Sequence, residues 1–550
     1  MSELINLLTL VFASSAFLIL IMDRLNHPIL PAYILGGILI GGYLPEEQFL
    51  NLSQLGIAFL VFIFGLKADL SRIKVTAFET TTTTLVQVAL AGASMFVIAQ
   101  GFGFNALNSL YLAAAAGFSS SMVGLELIDG EIRADLLHGR LAESIQLMQD
   151  LVAVALIAVI GSSLTLNSLA MNFLELTGMI ALAVIFRQIV FDKVAALAEG
   201  SEELLMLSSL TLLTVFISVS QLLELSIVTG AFAAGLAVAK FPHNLEILDS
   251  VGSLKDFFSA IFFVSLGALI AYPEPTAIAL TLILLIGTLI IKPVITSLLL
   301  MTNGYDKRTS YLAGFSLDQV SEFSLIIAIQ AYIAGTIAPE IFHAITLAAT
   351  VTMIISSYTS RYEEEIYEAV SKNDWIEVNS RKIKEKSDVP SDMKEHVILV
   401  GYDIQGKEIA EKLEIEGQDY VIIENDPEKI SQISKEDKNY TFGDVMDDET
   451  WKTAKIDEAS LIISTVPSTK ISKHISQLET DADIIVNSSE IDEAKELLEA
   501  GAMYVSLAEV LSSEELNEHI NGVLHDQNYR EELRRKNILE IRQQLQNSDS

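Results

Sequence analysis

The stretch Glu143-Ser-Ile-Gln-Leu-Met-Gln149-Asp150 opens an apolar run that continues through Ile160. If residues 141–162 form one helix, Asp150 lies nine residues from its start, roughly 14 Å along the axis. That depth is close to the middle of a hydrocarbon core about 30 Å thick. A carboxylate there is costly, and by default it marks an ion or proton path. The alternative is a carboxylate that is hydrogen-bonded to a neighbouring helix.

Charge and hydropathy divide the 550-residue chain in two. Residues 1–360 carry 26 acidic and 13 basic side chains, whereas residues 361–550 carry 44 and 22. With 51% hydrophobic residues and a mean hydropathy of +0.45 overall, the first part suits a bilayer and the second suits water. The net charge of −35 argues against nucleic-acid binding. The lack of cysteine excludes disulfides and suits a cytoplasmic second part.

Thirteen apolar segments precede residue 361. They span approximately residues 3–22, 28–44, 50–69, 78–101, 106–127, 140–162, 168–190, 203–222, 225–240, 254–272, 275–301, 308–334 and 338–359. The Lys and Arg residues of the intervening loops all fall in odd-numbered loops. The positive-inside rule therefore places those loops in the cytoplasm and the N-terminus outside. Thirteen crossings bring residue 361 to the cytoplasm, which predicts a multi-pass protein of the cell membrane.

One basic residue lies deep inside a segment, whereas the others lie in loops or within a few residues of a segment end. Lys292 stands in Leu289-Ile-Ile-Lys292-Pro293, within the eleventh segment. A charge there is as costly as that of Asp150, so we expect an ion pair with a carboxylate. The alternative is a side chain that extends to the membrane interface, which requires a position near a helix end.

Two segments contain small and polar residues at membrane depth. Gly117-Phe-Ser-Ser-Ser121 interrupts the fifth segment, and Gly314-Phe-Ser-Leu-Asp318-Gln319 interrupts the twelfth. Interrupted helices at matching places in two halves are typical of transporter sites. With the seventh segment as a linker, six segments lie on each side, which predicts an inverted repeat with two crossed discontinuous helices. For Asp318 and Glu322, one helical turn apart, the alternative is polar contact between packed helices.

These residues resemble the motifs of a known family. The Gln149-Asp150 pair, Lys292-Pro293 and the stretch Gln319-Val-Ser321-Glu322-Phe323 are similar to those of the monovalent cation:proton antiporter-2 (CPA2) family. The resemblance is to its Kef-type potassium/proton antiporters and covers nearly the whole chain. Ser321 stands where those proteins have glycine. The resemblance implies a homodimer that works by alternating access.

The resemblance also implies the roles of individual residues. The Gln-Asp form of the pair is associated with K⁺/H⁺ exchange and the Asp-Asp form with sodium; Na⁺/H⁺ exchange is the alternative. Asp150 would bind a cation and a proton in turn, and Gln149 would supply an amide oxygen. The expected ion and proton site comprises Asp150, Gln149, Ser119, Ser120, Ser121 and Asp318, with Lys292 and Glu322 compensating charge.

After a charged linker over residues 361–395, residues 396–510 show the pattern of an α/β unit, and residues 511–550 form a charged tail. Residues 397–400, 420–424 and 461–465 read as buried strands of a parallel, Rossmann-like sheet. Gly401-x-Asp403-x-x-Gly406 is a degenerate dinucleotide fingerprint. Asp403 replaces the glycine that lets the backbone approach a pyrophosphate. Glu424 ends the second strand, where a carboxylate binds ribose hydroxyls.

The unit resembles the RCK/KTN regulatory domains of TrkA-N type. Gly443-Asp444 and Ile423-Glu-Asn-Asp426-Pro427 match their motifs. The resemblance implies dimerisation and a regulatory adenine nucleotide, AMP or NAD(H). A sheet used purely for dimerisation is the alternative. The residues expected at the nucleotide site are Gly401, Asp403, Ile404, Gln405, Gly406, Glu424, Asp426, Asp444 and Thr465.

Other function classes fit less well. A nucleotide-gated potassium channel would need a carbonyl filter, and the sequence has no Thr-Val-Gly-Tyr-Gly run. A nicotinamide-dependent enzyme would need an acid–base group in the soluble part. The histidines there show no motif around them; they are His396, His474, His519 and His525. We therefore expect neither enzymatic activity nor a catalytic cofactor.

Overall fold

The structure is a computed structural model with two compact units, residues 1–373 and residues 374–550. It describes residues 2–25, 27–43, 45–67, 77–133, 136–159, 166–191, 193, 201–223, 225–240, 243–270, 274–371, 387–390, 392–488, 491–507 and scattered residues between 513 and 535. Residues 372–386 of the predicted linker and most of the predicted tail lie outside the described residues.

The first unit is helical. Its helices are Ser2–Arg24, Ile29–Ile40, Glu46–Lys67, Ala77–Gly101, Ala106–Gly117, Ser121–Leu127, Asp129–Arg133, Leu137–Val159, Leu166–Ile189, Glu202–Leu222, Ile227–Val238, His243–Ala268, Pro275–Ile286, Lys292–Asn303, Lys307–Phe315, Glu322–Ile333, Pro339–Arg361 and Glu363–Ser371. Each of the thirteen predicted segments coincides with one helix or with two consecutive helices of this series.

The prediction of a helical membrane domain is confirmed, but the number of its membrane-spanning helices is not. Within the described residues, seven spans are long and apolar enough to cross a membrane, and four shorter apolar helices accompany them. The number thirteen stays a prediction. The largest difference in bounds is in the tenth segment, whose helix begins at His243 rather than near residue 254. The difference arises because hydropathy marks the apolar stretch of a helix and not its polar ends.

Both expected interruptions are present. Three residues separate helix Ala106–Gly117 from helix Ser121–Leu127, and six residues separate helix Lys307–Phe315 from helix Glu322–Ile333. Each second helix starts with a serine cap: Ser120 accepts from the amide of Val123, and Ser321 accepts from that of Phe323. The two breaks touch, because the Ser119 hydroxyl donates to the carbonyl of Leu317 at 2.8 Å.

The eleventh segment contains an irregularity that the sequence analysis did not predict. Helix Pro275–Ile286 passes through a π-helical turn, Gly287–Ile291, into helix Lys292–Asn303. Pro293 has no amide hydrogen to donate to the preceding turn, which explains why the regular helical pattern changes there. Such turns occur frequently at functional sites.

The second unit is a six-stranded parallel sheet. Its strands are β1 (His396–Val400), β2 (Tyr420–Glu424), β3 (Tyr440–Phe442), β4 (Ala459–Ser464), β5 (Asp483–Ser488) and β6 (Tyr504–Leu507). The connecting helices are Ile404–Glu416, Pro427–Lys435, Asp448–Thr453, Thr469–Ser476 and Ile491–Ala500. The order β3-β2-β1-β4-β5-β6 is that of a doubly wound dinucleotide-binding fold. The Rossmann-like prediction is confirmed.

Candidate ion-binding site and nucleotide cleft

Asp150 is a buried carboxylate near the middle of helix Leu137–Val159. It is only 9% exposed. Among the described residues, none hydrogen-bonds its Oδ1. The charges of Glu322 and Lys67 act on it, and the Ser121 side chain interacts with its carboxyl group. A buried carboxylate with a free oxygen is suited to binding a cation or a proton.

Glu322 connects the second break to the first. It is fully buried. Its Oε1 accepts from the Ser121 hydroxyl at 2.8 Å and from the amide of Met122 at 3.3 Å. Its Oε2 has no hydrogen-bond partner in the described part of the chain. Glu322 therefore holds the start of helix Ser121–Leu127 and keeps one oxygen open.

Lys292 holds the two breaks together. Its Nζ donates to the carbonyl of Phe118 at 3.0 Å and to that of Gln319 at 2.6 Å. Asp318 acts on it electrostatically, but main-chain carbonyls take the place of the ion pair that we expected as its direct contact. Lys292 is fully buried, which contradicts the alternative of a side chain extended to the interface.

Asp318 faces the last long helix of the unit. Its Oδ1 accepts from the Ser356 hydroxyl, and its Oδ2 accepts from the Thr359 hydroxyl at 2.7 Å. Both donors lie on helix Pro339–Arg361. Both oxygens thus take part in polar contact between packed helices, and the ion-binding role of Asp318 stays a prediction.

The amide of Gln149 is also engaged. Its Oε1 accepts from the amide of Ser119 at 2.7 Å, and its Nε2 donates to Gln87 Oε1 at 2.7 Å. Gln87 in turn donates to the carbonyl of Gly117 at 3.2 Å. The oxygen that we expected to face a cation therefore holds the first break. Sequence reasoning missed Gln87, although a single amide within an apolar segment needs a buried partner.

The three serines of the first break satisfy polar groups that the missing helical turn leaves open. Ser119 contacts the second break, Ser120 caps the next helix, and Ser121 donates to Glu322. In the second break, the amide of Val320 donates to the Thr352 hydroxyl at 3.1 Å. The breaks are thus fixed by hydrogen bonds within the protein, as non-helical backbone at membrane depth requires.

In the second unit, the turn after β1 is built around Gly401 and Asp403. Gly401 has a φ of +92°, and a Cβ there would lie 2.7 Å from the Thr465 hydroxyl oxygen, so the position requires glycine. Asp403 caps helix Ile404–Glu416, and its Oδ1 accepts from the amide of Gly406 at 3.1 Å. This carboxylate therefore occupies the helix N-terminus at which a phosphate commonly binds.

Glu424 also makes internal contacts. Its carboxylate accepts from the amides of Tyr402, Asn425 and Asp426 at 3.0–3.1 Å. Lys429 Nζ lies 3.6 Å from its Oε2. A ribose hydroxyl would have to share these oxygens. The interactions close the turn after β1 onto the end of β2.

The remaining residues expected at the nucleotide site lie around the same carboxyl-terminal edge of the sheet. Asp426 and Asp444 are buried there, and Asp444 accepts from the amide of Met446 at 2.9 Å. The Thr465 hydroxyl donates to the carbonyl of Val400 at 3.0 Å. Gln405 Oε1 accepts from the Asn487 side chain, and the Ile404 side chain is exposed.

Crossed broken helices around a buried carboxylate, followed by a doubly wound sheet, define a multi-pass membrane transporter with a soluble carboxyl-terminal domain. Residues 10–361 match the family of sodium/hydrogen exchangers (transmembrane domain), and residues 397–508 match the TrkA-N domain. The chain belongs to the sodium/hydrogen exchanger family and carries a TrkA-N domain. It is thus a cation/proton antiporter with an RCK-type regulatory domain.

Similar proteins combine the same two parts. The putative K⁺ efflux antiporter KefB of Alkalimonas amylolytica is 24% identical over 92% of this chain and 79% of its own length. The putative cation/proton antiporter YbaL of Escherichia coli is 24% identical over 89% of this chain and 92% of its own length. The resemblance to Kef-type antiporters of the CPA2 family is confirmed.

A solved structure supports the fold of the membrane unit. The sodium proton antiporter MjNhaP1 of Methanocaldococcus jannaschii aligns with 65% of this chain and 96% of its own, with a TM-score of 0.50 and 16% identity. At that identity, the likeness concerns the fold alone.

Proposed function

We propose that this protein exchanges K⁺ for H⁺ across the cell membrane by alternating access, with Asp150 as the shared site for cation and proton. The observation that carries the proposal is the buried Asp150 carboxylate, whose Oδ1 has no partner among the described residues. The name of the relative KefB, a putative K⁺ efflux antiporter, favours potassium. We place the N-terminus outside and the TrkA-N unit in the cytoplasm, because the basic loop residues favour that orientation.

Competition for one carboxylate is enough to couple the two fluxes. A bound proton neutralises Asp150 and removes its attraction for a cation, while a bound cation disfavours protonation. Lys292 engages the carbonyls of Phe118 and Gln319, so those two carbonyls are not free to bind the ion. Glu322, with one open oxygen, is then the other carboxylate available near Asp150.

Sodium/proton exchange is the second candidate. The matched family is described as a sodium/hydrogen exchanger, and MjNhaP1 is titled a sodium proton antiporter. The test is cation-driven proton flux in proteoliposomes that hold a pH-sensitive dye, with K⁺ and Na⁺ compared in the same preparation. We expect K⁺ to drive proton movement at lower concentrations than Na⁺. The reverse order would replace the potassium assignment by sodium, and no response to either cation would reject antiport.

We also propose that an adenine nucleotide binds at the carboxyl ends of the TrkA-N strands and regulates transport in a homodimer. The doubly wound sheet opens a crevice at that edge, and the residues expected to bind the ligand surround it. For regulation, the nucleotide must bind one transport state more tightly than the other.

A further inference from the structure

Gln146 is a buried amide to which the mechanism above gives no role. It lies four residues before Asp150 in helix Leu137–Val159, so both side chains project from the same face. Gln146 is fully buried. Across the described residues, neither its Oε1 nor its Nε2 finds a hydrogen-bond partner. Leaving both groups unpaired inside a protein is unfavourable, and a leucine would fill the position without that cost.

The side-chain amides of Gln146 and Gln319 both lie next to Gly124, in the second helix of the broken fifth segment. A Cβ on Gly124 would lie 2.0 Å from Gln146 Nε2 and 3.3 Å from Gln319 Oε1. Because Gly124 has no side chain, the amides of Gln146 and Gln319 can both lie next to it. Gln319 comes from the second break, and its Nε2 donates to the carbonyl of Ser316 at 3.2 Å. Its Oε1 is buried and lacks a partner within the described ranges.

The two amides come from the same segments of the chain as the carboxylates of the ion site: Gln146 shares a helix with Asp150, and Gln319 precedes Glu322 in the second break. Glu322, three residues after Gln319, has an open Oε2 and acts electrostatically on Asp150. Two amides and two carboxylates thus bring unsatisfied oxygens to one region, where both breaks meet helix Leu137–Val159. Amide and carboxylate oxygens are the ligands that replace the water shell of an alkali cation. Two of these four groups are neutral amides, and an oxygen donor set with so few charges suits a monovalent cation.

We propose that Gln146 and Gln319, with the free oxygen of Glu322, form a second cation subsite one helical turn from Asp150. The proposal rests on the proposed antiport function. Gln146 lies on the N-terminal side of Asp150, and the basic loop residues assign that end of the helix to the cytoplasm. The subsite therefore takes a K⁺ or Na⁺ ion on the cytoplasmic side and passes it to Asp150.

The test is the full-length Gln146→Leu protein in proteoliposomes. Leucine keeps the apolar stem and removes the amide. We expect the half-saturating K⁺ concentration for proton flux to rise about tenfold, the effect of losing about 1.4 kcal/mol of binding free energy. The maximal rate at saturating K⁺ should stay within about twofold of the parent, since Asp150 is untouched. Gln100→Leu is the matched control, because Gln100 lies at the exposed end of helix Ala77–Gly101 and bonds Ser109.

Thermal melting shows whether the Gln146 amide binds a cation or only stabilises the fold. In choline buffer, Gln146→Leu should melt no lower than the parent, because it removes an unpaired buried amide. The rise in melting temperature that K⁺ causes in the parent should become smaller in the variant. A lower melting temperature together with an unchanged half-saturating K⁺ concentration would make Gln146 a structural residue and overturn the proposal.

A second variant keeps the Gln146 residue but moves its side-chain amide. In Gly124→Ala the new methyl group displaces the Gln146 amide, so the K⁺ dependence should change as in Gln146→Leu. On a Gln146→Ala background, where the space is free, Gly124→Ala should add nothing. Additive effects of the two changes would contradict the subsite. If the parent shows no cation-driven flux at all, the antiport proposal fails, and the K⁺-induced melting shift of parent and variant still decides whether the subsite binds cations.

Discussion

Asp150 lies near the middle of its helix, is buried and has an oxygen without a hydrogen-bond partner among the described residues; Glu322 is a second buried carboxylate with such an oxygen. Replacement of Asp150 by asparagine should abolish cation-driven proton flux down to the level of empty liposomes. The protein should still fold, because asparagine keeps the shape and removes a charge that is costly to bury. We expect its melting temperature to stay within about 2 °C of the parent. Asp23→Asn, at an exposed carboxylate on the first helix, is the control and should transport normally. Near-normal flux in Asp150→Asn would show that the shared site lies elsewhere.

Lys292 is the second residue whose role can be tested by measuring both protein stability and transport rate. Lys292→Gln shortens the side chain and removes the charged donor, which leaves the carbonyls of Phe118 and Gln319 unpaired. We expect a loss of stability of about 1–3 kcal/mol and a slower maximal rate, since the breaks lose their common donor. The measurements are melting in detergent and flux in proteoliposomes. Lys193→Gln, at an exposed position, should change neither. Parental melting and flux in Lys292→Gln would remove this role.

The site residues that could be found from the sequence were charged residues within apolar segments, because burying a charge in a membrane is energetically unfavourable. Asp150 and Lys292 stand out because a charge within an apolar segment needs an explanation. The orientation of Gln149 could not be predicted, since its partner Gln87 is 62 residues away in sequence. The role of Gly124 was hidden as well, because only the packed helices show that its missing side chain admits Gln146.

At the scale of elements, the last long helix is fixed to the second break through Asp318. Replacing both donors, as Ser356→Ala with Thr359→Val, leaves a buried carboxylate without its hydroxyl partners. We expect the double variant to be destabilised by about 2–5 kcal/mol, since buried hydrogen bonds to a charged group are among the strongest. Thr302→Val is the control, because that exposed hydroxyl bonds only the carbonyl of Leu299 among the contacts described. The measurement is thermal melting in detergent.

A further variant tests whether the charge of Asp318 is the cause. Adding Asp318→Asn to the double variant should recover part of the lost stability, since it removes a buried charge that has lost its hydroxyl donors. Unchanged melting in the double variant would show that helix Pro339–Arg361 is held by its apolar contacts alone.

The elements themselves were predictable to different degrees. The two broken helices follow from Gly and Ser runs inside apolar segments, because these residues weaken a helix and can cap the next one. Three of the six strands of the second unit, β1, β2 and β4, follow from short apolar runs between turns, and β3, β5 and β6 were not predicted. The π-helical turn before Lys292 was not predicted, since the local sequence permits an ordinary proline kink as well.

Across the membrane unit, the inverted arrangement of the breaks explains why residues far apart in sequence share one site. Ser119 and Leu317 are joined by a hydrogen bond, and Ser121 and Glu322 by another. A rearrangement that moves one break therefore moves the other, and the carboxylates move with them. Such a connection would suit the alternating access that we propose, in which the site lies between two repeats. The sequence could indicate the pairing of the halves, but not which atoms join them.

The second unit yields the last prediction. Asp403 already places a carboxylate at the helix N-terminus, so a pyrophosphate would meet a like charge there. We therefore expect AMP to bind more tightly than NAD⁺, NADH or ATP, mainly through its adenosine half. Asp403→Gly removes the charge, and glycine costs a helix cap only a few tenths of a kcal/mol. The variant should gain about tenfold in affinity for NAD⁺, which corresponds to about 1.4 kcal/mol.

The measurement is calorimetry on the full-length protein in detergent, with the four nucleotides titrated separately. Asp419→Gly is the matched control, because Asp419 is exposed and precedes β2 at the opposite edge of the sheet. It should bind all four ligands as the parent does. If Asp403→Gly leaves NAD⁺ binding unchanged while AMP binds, Asp403 does not select the ligand. If none of the four nucleotides binds to either protein, the sheet is a dimerisation module, and control of transport by a nucleotide is excluded because regulation requires a differential binding free energy.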